Sequence, residues 1–134
     1  MKRMIMFGLL GLGAAQAYAG AVVASKDSPL AAMDAEEVKK VFLGREPQLG
    51  GQAVTVVYQK DSPTRSDFET KVLGKTGADL SGYWSKLIFT GKAQAPDEVA
   101  GDGGVKSKVA GNPGAVGYVS DAAVDGSVKV LFKY

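Results

Sequence analysis

The chain has 134 residues, with 16 lysines and arginines against 14 aspartates and glutamates, and it contains neither cysteine nor histidine. These two absences exclude disulfides, Cys-His dyads, Ser-His-Asp triads and most zinc, copper, haem and iron–sulfur sites, so we expect no metal and no cofactor. The near balance of charge excludes a strong general attraction to nucleic acid or to an anionic membrane.

The N-terminal 19 residues have the pattern of a targeting segment. Lys2 and Arg3 form a basic start, an apolar run covers residues 4–15, and Ala17-Tyr18-Ala19 is a small-x-small cleavage site. The run is shorter than the ~20 residues that span a bilayer, so we expect no stable membrane insertion after cleavage. An uncleaved N-terminal anchor is the alternative. Cleavage would leave 115 of the 134 residues, a single domain over 20–134, with 14 basic and 14 acidic side chains.

The first half of this domain alternates strand and helix signals. The apolar run at 21–25 predicts a buried strand. Asp34 suits an N-cap and Glu37 follows three residues later, a capping-box pattern that opens a first helix, which Gly44 ends. Residues 45–52 then form a predicted loop.

The next stretch predicts a strand that leads through a tight loop into a second helix. Residues 54–59 alternate at the strand period and are rich in β-branched side chains. Ser62 suits the N-cap, and Pro63 suits the first helical position because it has no N–H to lose. The second helix should place Phe68 toward the core and end at Gly74.

The remaining residues predict two more helices and two more strands. Asp79 starts a third helix with an apolar stripe that makes Trp84 a core residue; the stripe comprises Leu80, Tyr83, Trp84, Leu87 and Ile88. A fourth helix is expected over 97–111, regular from near Asp102, and strands over 115–119 and 128–133. This order predicts an α/β fold whose small sheet, mixed or mostly parallel, is flanked by about four helices.

The start of the second helix is the candidate functional site. The unpaired N–H groups of Thr64 and Arg65, the hydroxyls of Ser62 and Thr64 and the guanidinium of Arg65 all favour a bound anion. An ordinary capped helix with a surface arginine would give the same pattern. A hydrolase that uses Ser62 with Lys60 is chemically possible, but the spacing matches no nucleophile motif, so we expect no enzyme.

Several segments, in one order and spacing, resemble a known family. They are VFLGRE at 41–46, VYQKDSPTRSDF at 57–68, YW at 83–84, FTGK at 89–92 and NPGAVGYV at 112–119. Together they resemble the phosphate-binding proteins of ABC transporters, and more closely the short, single-lobe secreted relatives of that family. The resemblance implies one lobe of a periplasmic-binding-protein-like fold, a location in the periplasm, and inorganic phosphate or a similar oxyanion as ligand.

The resemblance also extends to the candidate site. Full-length members hold the ligand between two lobes, and the second lobe carries an Arg-x-x-Gly-Ser-Gly-Thr loop at a helix start. Its serine aligns with Ser62 and its threonine with Thr64, whereas Tyr58 stands at the position of the arginine. Asp61 and Pro63 replace the two glycines.

The predicted anion site therefore comprises Asp61, Ser62, Thr64 and Arg65. We expect Arg65 to supply the guanidinium from one residue beyond the loop, and Asp61 to repel a dianion or to accept a hydrogen bond from a protonated phosphate oxygen. Because the first lobe has no counterpart here, a second copy or a partner protein that covers the site would complete it. The alternative function is a protein–protein interaction module that keeps the lobe fold with vestigial anion binding.

Overall fold

A computed structural model of the chain describes residues 18–49 and 51–134. Of the predicted targeting segment, all but Tyr18 and Ala19 lies outside the described residues. The main sheet has five strands: β1 (Gly20–Ser25), β4 (Thr55–Gln59), β5 (Asp97–Val99), β6 (Ala115–Ser120) and β7 (Val128–Lys133). A separate hairpin pairs β2 (Gln48–Leu49) with β3 (Gln52–Ala53).

The main sheet is mixed, with the strand order β5-β4-β6-β1-β7. β4 runs parallel to both β5 and β6, whereas β1 is antiparallel to both β6 and β7. The parallel strands β4, β5 and β6 therefore end at one edge of the sheet, which we call the carboxyl edge; its residues are Gln59, Val99 and Ser120. In sheets of this kind, ligands bind outside the carboxyl ends of the strands.

Helices cover both faces of the sheet. They are α1 (Ala35–Phe42), α2 (Pro63–Phe68), which continues into a π-helical turn (Glu69–Leu73), α3 (Gly77–Phe89) and α4 (Gly101–Ala110). α1, α2 and α3 bury apolar side chains against one face, and α4 buries Val105 and Val109 against the other. The described residues thus form a three-layer α/β sandwich with a mixed sheet and four helices, as the sequence predicts.

An aromatic cluster joins α1, α2 and α3 to the sheet. The ring of Phe68 stacks on that of Tyr118 at 4.1 Å, and Phe42 contacts Phe68 edge-on at 4.9 Å. The hydroxyl of Tyr58 donates to the carbonyl of Phe42 at 2.5 Å and accepts from the indole N–H of Trp84 at 3.2 Å. Burial raises the pKa of Tyr58, so this hydroxyl keeps its proton. Trp84 is 9% exposed, which confirms its predicted place in the core.

Three of the predicted helix ends are confirmed. Asp34 accepts from the N–H of Glu37 at 2.9 Å, and the Glu37 carboxylate accepts from the N–H of Asp34 at 3.3 Å. Ser62 and Pro63 occupy the N-cap and the first position of α2. Gly74 ends the π-helical turn with a φ of 70°, a left-handed conformation that glycine adopts without steric cost. Local sequence signals therefore mark three of the helix boundaries.

The structure differs from the sequence-based expectation in three places. The β2–β3 hairpin overlaps the loop expected over 45–52, and α3 starts at Gly77, two residues before Asp79. The start of the fourth helix, expected at 97, is wrong because Asp97–Val99 forms β5 and pairs with β4. Ala100 separates β5 from α4, and Gly101, with a φ of 66°, is the first residue of α4. Long-range pairing with β4 thus overrides a local preference that the nearby glycines had already weakened.

The contact between α4 and the sheet can be tested at Gly117. A Cβ at this position would lie 2.6 Å from Cγ1 of Val105, so Gly117→Ala forces α4 away from β6. We expect a loss of about 1 to 3 kcal/mol in the free energy of unfolding, measured by urea denaturation. Gly103→Ala, in the same helix with nothing near its Cβ, is the control and should be neutral or stabilising. Equal stability of both variants would contradict this packing.

Candidate functional site

An open hollow of about 820 Å³ lies between the starts of α2 and α3. Five hydroxyl side chains line it: Ser62, Ser66, Thr70, Thr76 and Ser81. We call it the hydroxyl hollow; its charged lining residues are Asp61, Arg65 and Glu69. Three of the four predicted site residues, Asp61, Ser62 and Arg65, therefore share one concave surface.

The Ser62 hydroxyl has little freedom at this site. Its oxygen accepts from the backbone N–H of Arg65 at 3.0 Å, and its single hydrogen is donated to Oε1 of Gln59 at 2.7 Å. A hydroxyl has one hydrogen and two lone pairs, so only one lone pair remains for a ligand. Ser62 can thus accept a hydrogen bond from a ligand but cannot donate one without breaking its bond to Gln59.

Gln59 connects α2 to the opposite helical layer. Its side-chain N–H groups donate to the carboxylate of Asp102 at 2.7 Å and to the carbonyl of Tyr118 at 3.0 Å. Asp102 also accepts from the hydroxyl and the N–H of Ser120, at 2.6 and 3.1 Å. Partial burial alone would raise the pKa of Asp102, but the hydrogen bonds from Ser120 and Gln59 outweigh it and lower that pKa. The Asp102 carboxylate therefore stays charged and fixes the orientation of the Gln59 amide.

The guanidinium of Arg65 is held by protein groups and is only 19% exposed. Nε contacts the Glu69 carboxylate at 2.6 Å, and Nη1 donates to the carbonyl of Gln59 at 2.8 Å and to Glu98 at 3.3 Å. The guanidinium also lies 5.5 Å from the centre of the Tyr58 ring. Burial lowers the pKa of Arg65, but the hydrogen bond and the charge of Glu69 raise it above the usual value. Its positive charge is therefore largely neutralised within the protein.

Thr64 lies in the first turn of α2 but not in the lining of the hydroxyl hollow. In the part of the chain that the structure describes, its N–H donates to no backbone or side-chain acceptor. Similarly, the described residues include no acceptor for Nη2 of Arg65. Together with the hydroxyls of Thr64 and Ser66, these two N–H groups are hydrogen-bond donors that α2 can offer to an anion.

Sequence reasoning missed four residues that shape the site: Gln59, Glu69, Glu98 and Asp102. Glu69 follows Arg65 by four residues, the spacing of an ion pair on a helix, so a local signal for it exists. Asp102 bonds to Gln59 across 43 positions of sequence, and Glu98 contacts Arg65 across 33. No local pattern could indicate these two partners, because only the pairing of the strands brings them to the carboxyl edge.

A second hollow, of about 400 Å³, adjoins the first and shares Arg65 and Ser81 with it. We call it the aromatic hollow; its apolar walls are Tyr58, Leu80, Trp84, Ile88, Ala95 and Pro96. With Glu98 on its lining, the two joined hollows carry three carboxylates (Asp61, Glu69 and Glu98) and one guanidinium. Their net charge is therefore negative.

Two features are absent from residues 18–49 and 51–134. Within these ranges no group of three or more acidic side chains is arranged to hold a metal ion. Nor do they contain a helix with the length and apolar character needed to cross a membrane.

Three solved structures share this fold. One from Clostridium perfringens, described as a phosphate ABC transporter substrate-binding protein with bound phosphate, is 26% identical over 85% of this chain, with a TM-score of 0.64. An ABC-type phosphate transport receptor from Vibrio cholerae is 26% identical over 85%, with a TM-score of 0.66. PstS from Borrelia burgdorferi is 16% identical over 86%, with a TM-score of 0.63. No protein-family model matches the chain, and no curated protein matches it.

The chain is a short structural relative of the phosphate-binding proteins of ABC transporters. This finding confirms the resemblance seen in the sequence. The chain is shorter than these neighbours: it spans only 44%, 45% and 47% of their respective lengths. The neighbours are substrate-binding transport proteins rather than enzymes. The chain therefore shares with them one compact unit of fold, about half of each neighbour.

The ion pair of Arg65 with Glu69 makes a testable contribution to stability. Glu69 is 6% exposed, so Arg65→Ala would leave a buried carboxylate without its main partner. We expect the free energy of unfolding to fall by about 3 kcal/mol, measured by urea denaturation. Adding Glu69→Gln to Arg65→Ala removes the unpaired charge, so the double variant should recover part of the lost free energy of unfolding.

Lys71→Ala provides the control for this pair. Lys71 is exposed on the same helical segment, so its removal should change stability by no more than about 0.5 kcal/mol. If Arg65→Ala unfolded at the same urea concentration as the unaltered protein, the pair would not have the structural role given to it here.

Proposed function

We propose that this chain is a secreted, periplasmic oxyanion-binding protein with inorganic phosphate as the first ligand to test. One observation carries the proposal: a hydroxyl-lined hollow lies at the start of α2, at the carboxyl edge, in a fold shared with proteins that bind phosphate. The predicted residues Asp61, Ser62, Thr64 and Arg65 would hold the ligand. We propose binding rather than catalysis, because the structurally similar proteins are a substrate-binding protein and a transport receptor.

The available groups favour a protonated phosphate. The N–H of Thr64 and Nη2 of Arg65 supply donors, and the positive end of the α2 dipole adds to them. The remaining lone pair of Ser62 and the carboxylate of Asp61 supply acceptors, which match a P–OH group and not a bare oxygen. A ligand with at least one proton therefore satisfies both kinds of group.

The affinity of the isolated chain should be low. Arg65 is already paired with Glu69 and Glu98, and the hollow is open, so charge interactions with a ligand are screened by water. We expect a dissociation constant between about micromolar and millimolar. Nanomolar phosphate binding by a species that stays monomeric, measured by calorimetry beside sedimentation, would contradict this expectation.

Asp61 gives a direct test of the ligand's position. Asp61 is exposed and its carboxylate repels a dianion, so Asp61→Asn should strengthen phosphate binding about two- to fivefold well above the second pKa of phosphate. Well below that pKa the gain should vanish, because the protonated ligand then loses an acceptor. Isothermal titration measures both. The control is Asp67→Asn, exposed on α2 but outside the hollow; if it changed the affinity as much as Asp61→Asn, the site would lie elsewhere.

Processing supplies a separate test of the proposed location. The basic start, the apolar run and the Ala17-Tyr18-Ala19 site imply a mature chain that begins at Gly20. The intact mass of protein recovered from the periplasm should therefore correspond to residues 20–134. A full-length mass would exclude cleavage and support an uncleaved N-terminal anchor.

An interaction module with vestigial anion binding is the second candidate function. Two observations favour it: Arg65 is neutralised by Glu69 and Glu98, and Phe89 is 91% exposed. Phosphate titration separates the two functions. No measurable binding of phosphate at tens of millimolar would favour the interaction module over the oxyanion-binding protein.

A further inference from the structure

The end of α3 exposes two consecutive apolar side chains. Phe89 is 91% exposed and Ile88 is 42% exposed, and together with Lys92 we call them the α3 tip. Among the described residues the only other large apolar side chain with comparable exposure is Tyr18, at 43%. The Phe89 ring buries almost none of its surface in the fold, and beside Ile88 it forms a small contiguous apolar patch of the kind found at contact surfaces.

A cavity suited to an aromatic ring lies beside the tip. The aromatic hollow holds about 400 Å³, and its apolar walls include Leu80, Trp84 and Pro96. Ile88 belongs both to these walls and to the α3 tip, so a projecting ring and a recess stand next to each other on one surface. In a two-fold dimer both copies present the same patch to each other. A patch with a projection beside a recess is complementary to itself, because the projection of each copy can enter the recess of the other.

We propose that two copies of this chain associate about a two-fold axis, with Phe89 of each copy entering the aromatic hollow of the other. Burial of two phenyl rings in apolar recesses supplies the driving free energy, as aromatic anchors do at protein interfaces. The occupant of the hollow is a second copy because this chain itself presents the complementary side chain.

The charges around the two features are complementary as well. Lys92 is exposed three residues beyond Phe89, and the Glu98 carboxylate, 48% exposed, lies on the lining of the aromatic hollow. Entry of Phe89 would therefore carry Lys92 toward Glu98 of the second copy. Opposite charges across an interface fix its register and suppress wrong partners.

The dimer would also complete the oxyanion site, and this consequence rests on the proposed function. The aromatic hollow is continuous with the hydroxyl hollow through Arg65 and Ser81, so a second copy seated on one excludes water from the other. Lys92 of that copy would offset the negative charge of the joined hollows. Two copies also have about the length of one neighbour, since this chain spans 44% to 47% of each.

Sedimentation velocity over a range of protein concentrations, in a phosphate-free buffer, tests the association. The unaltered protein should shift from monomer to dimer, and Phe89→Asp should raise the dissociation constant of the dimer by at least about tenfold. Ser107→Asp, which adds the same charge at an exposed position on α4 across the sheet, should leave it unchanged. A monomer at every concentration, or equal association of Phe89→Asp and the unaltered protein, would overturn the proposal.

A charge exchange tests the two-fold geometry itself. Lys92→Glu and Glu98→Lys should each weaken the dimer, because each places like charges opposite one another at both contacts. Mixed together, the two variants should form heterodimers, since both contacts then pair opposite charges. A mixture that associates no better than either variant alone would overturn the proposed register.

The same proteins separate this inference from the proposed function. Phe89→Asp should still bind phosphate, with the weak affinity of a single copy, measured by calorimetry. Dimerisation without phosphate binding would refute the oxyanion site and leave the dimer intact. Phosphate binding whose affinity is identical in the dimer and in Phe89→Asp would show that the second copy adds nothing to the site.

Discussion

The side-chain amide of Gln59 is the interaction on which the carboxyl edge depends. It is 1% exposed, and each of its hydrogen-bonding groups has a partner: the Ser62 hydroxyl on Oε1, and Asp102 and the Tyr118 carbonyl on the N–H groups. α2 and α4 lie on opposite faces of the sheet, so this single side chain ties both helical layers to β4 and β6. A buried amide with unmet partners would be costly, so its full satisfaction fixes where both helices begin.

This constraint also sets the chemistry of the candidate site. The Ser62 hydroxyl donates its hydrogen to Gln59, and the Arg65 guanidinium is paired with Glu69. The start of α2 therefore offers a ligand more hydrogen-bond acceptors, relative to donors, than its sequence suggests. The groups that make a helix start attractive to anions are thus partly used in holding the helix in place. A ligand at this position competes with the internal bonds of the fold, and its affinity depends on what covers the open side.

The sequence predicts most of the architecture because the relevant signals are local. The Asp34 and Ser62 caps, the Gly74 stop and the alternation at 54–59 each lie within a few residues of the structure they determine. β5 could not be predicted from local signals, since its backbone forms its strand hydrogen bonds with β4, some forty positions earlier. The partners of Arg65 divide in the same way: Glu69 was within reach of a helix-spacing rule, whereas Glu98 was not. The sequence reasoning named Asp61, Ser62 and Arg65, which line the hydroxyl hollow, and Thr64, which does not. It could not show that Ser62 and Arg65 are already hydrogen-bonded to Gln59 and Glu69.

The position of β1 in the sheet has a consequence for the order of events in folding. β1, the earliest strand along the chain, lies between β6 and β7, and the N–H groups of Ala19 and Gly20 both donate to the carbonyl of Tyr134. The middle of the sheet, where β6 pairs with both β1 and β4, cannot close until β6 has been made, so the loop between β1 and β6 is long and folding is correspondingly slow. Most of the chain must therefore be synthesised before its sheet can assemble. A polypeptide that has not yet formed its sheet can be threaded through a narrow channel, and the arrangement of strands thereby suits the export proposed for this protein.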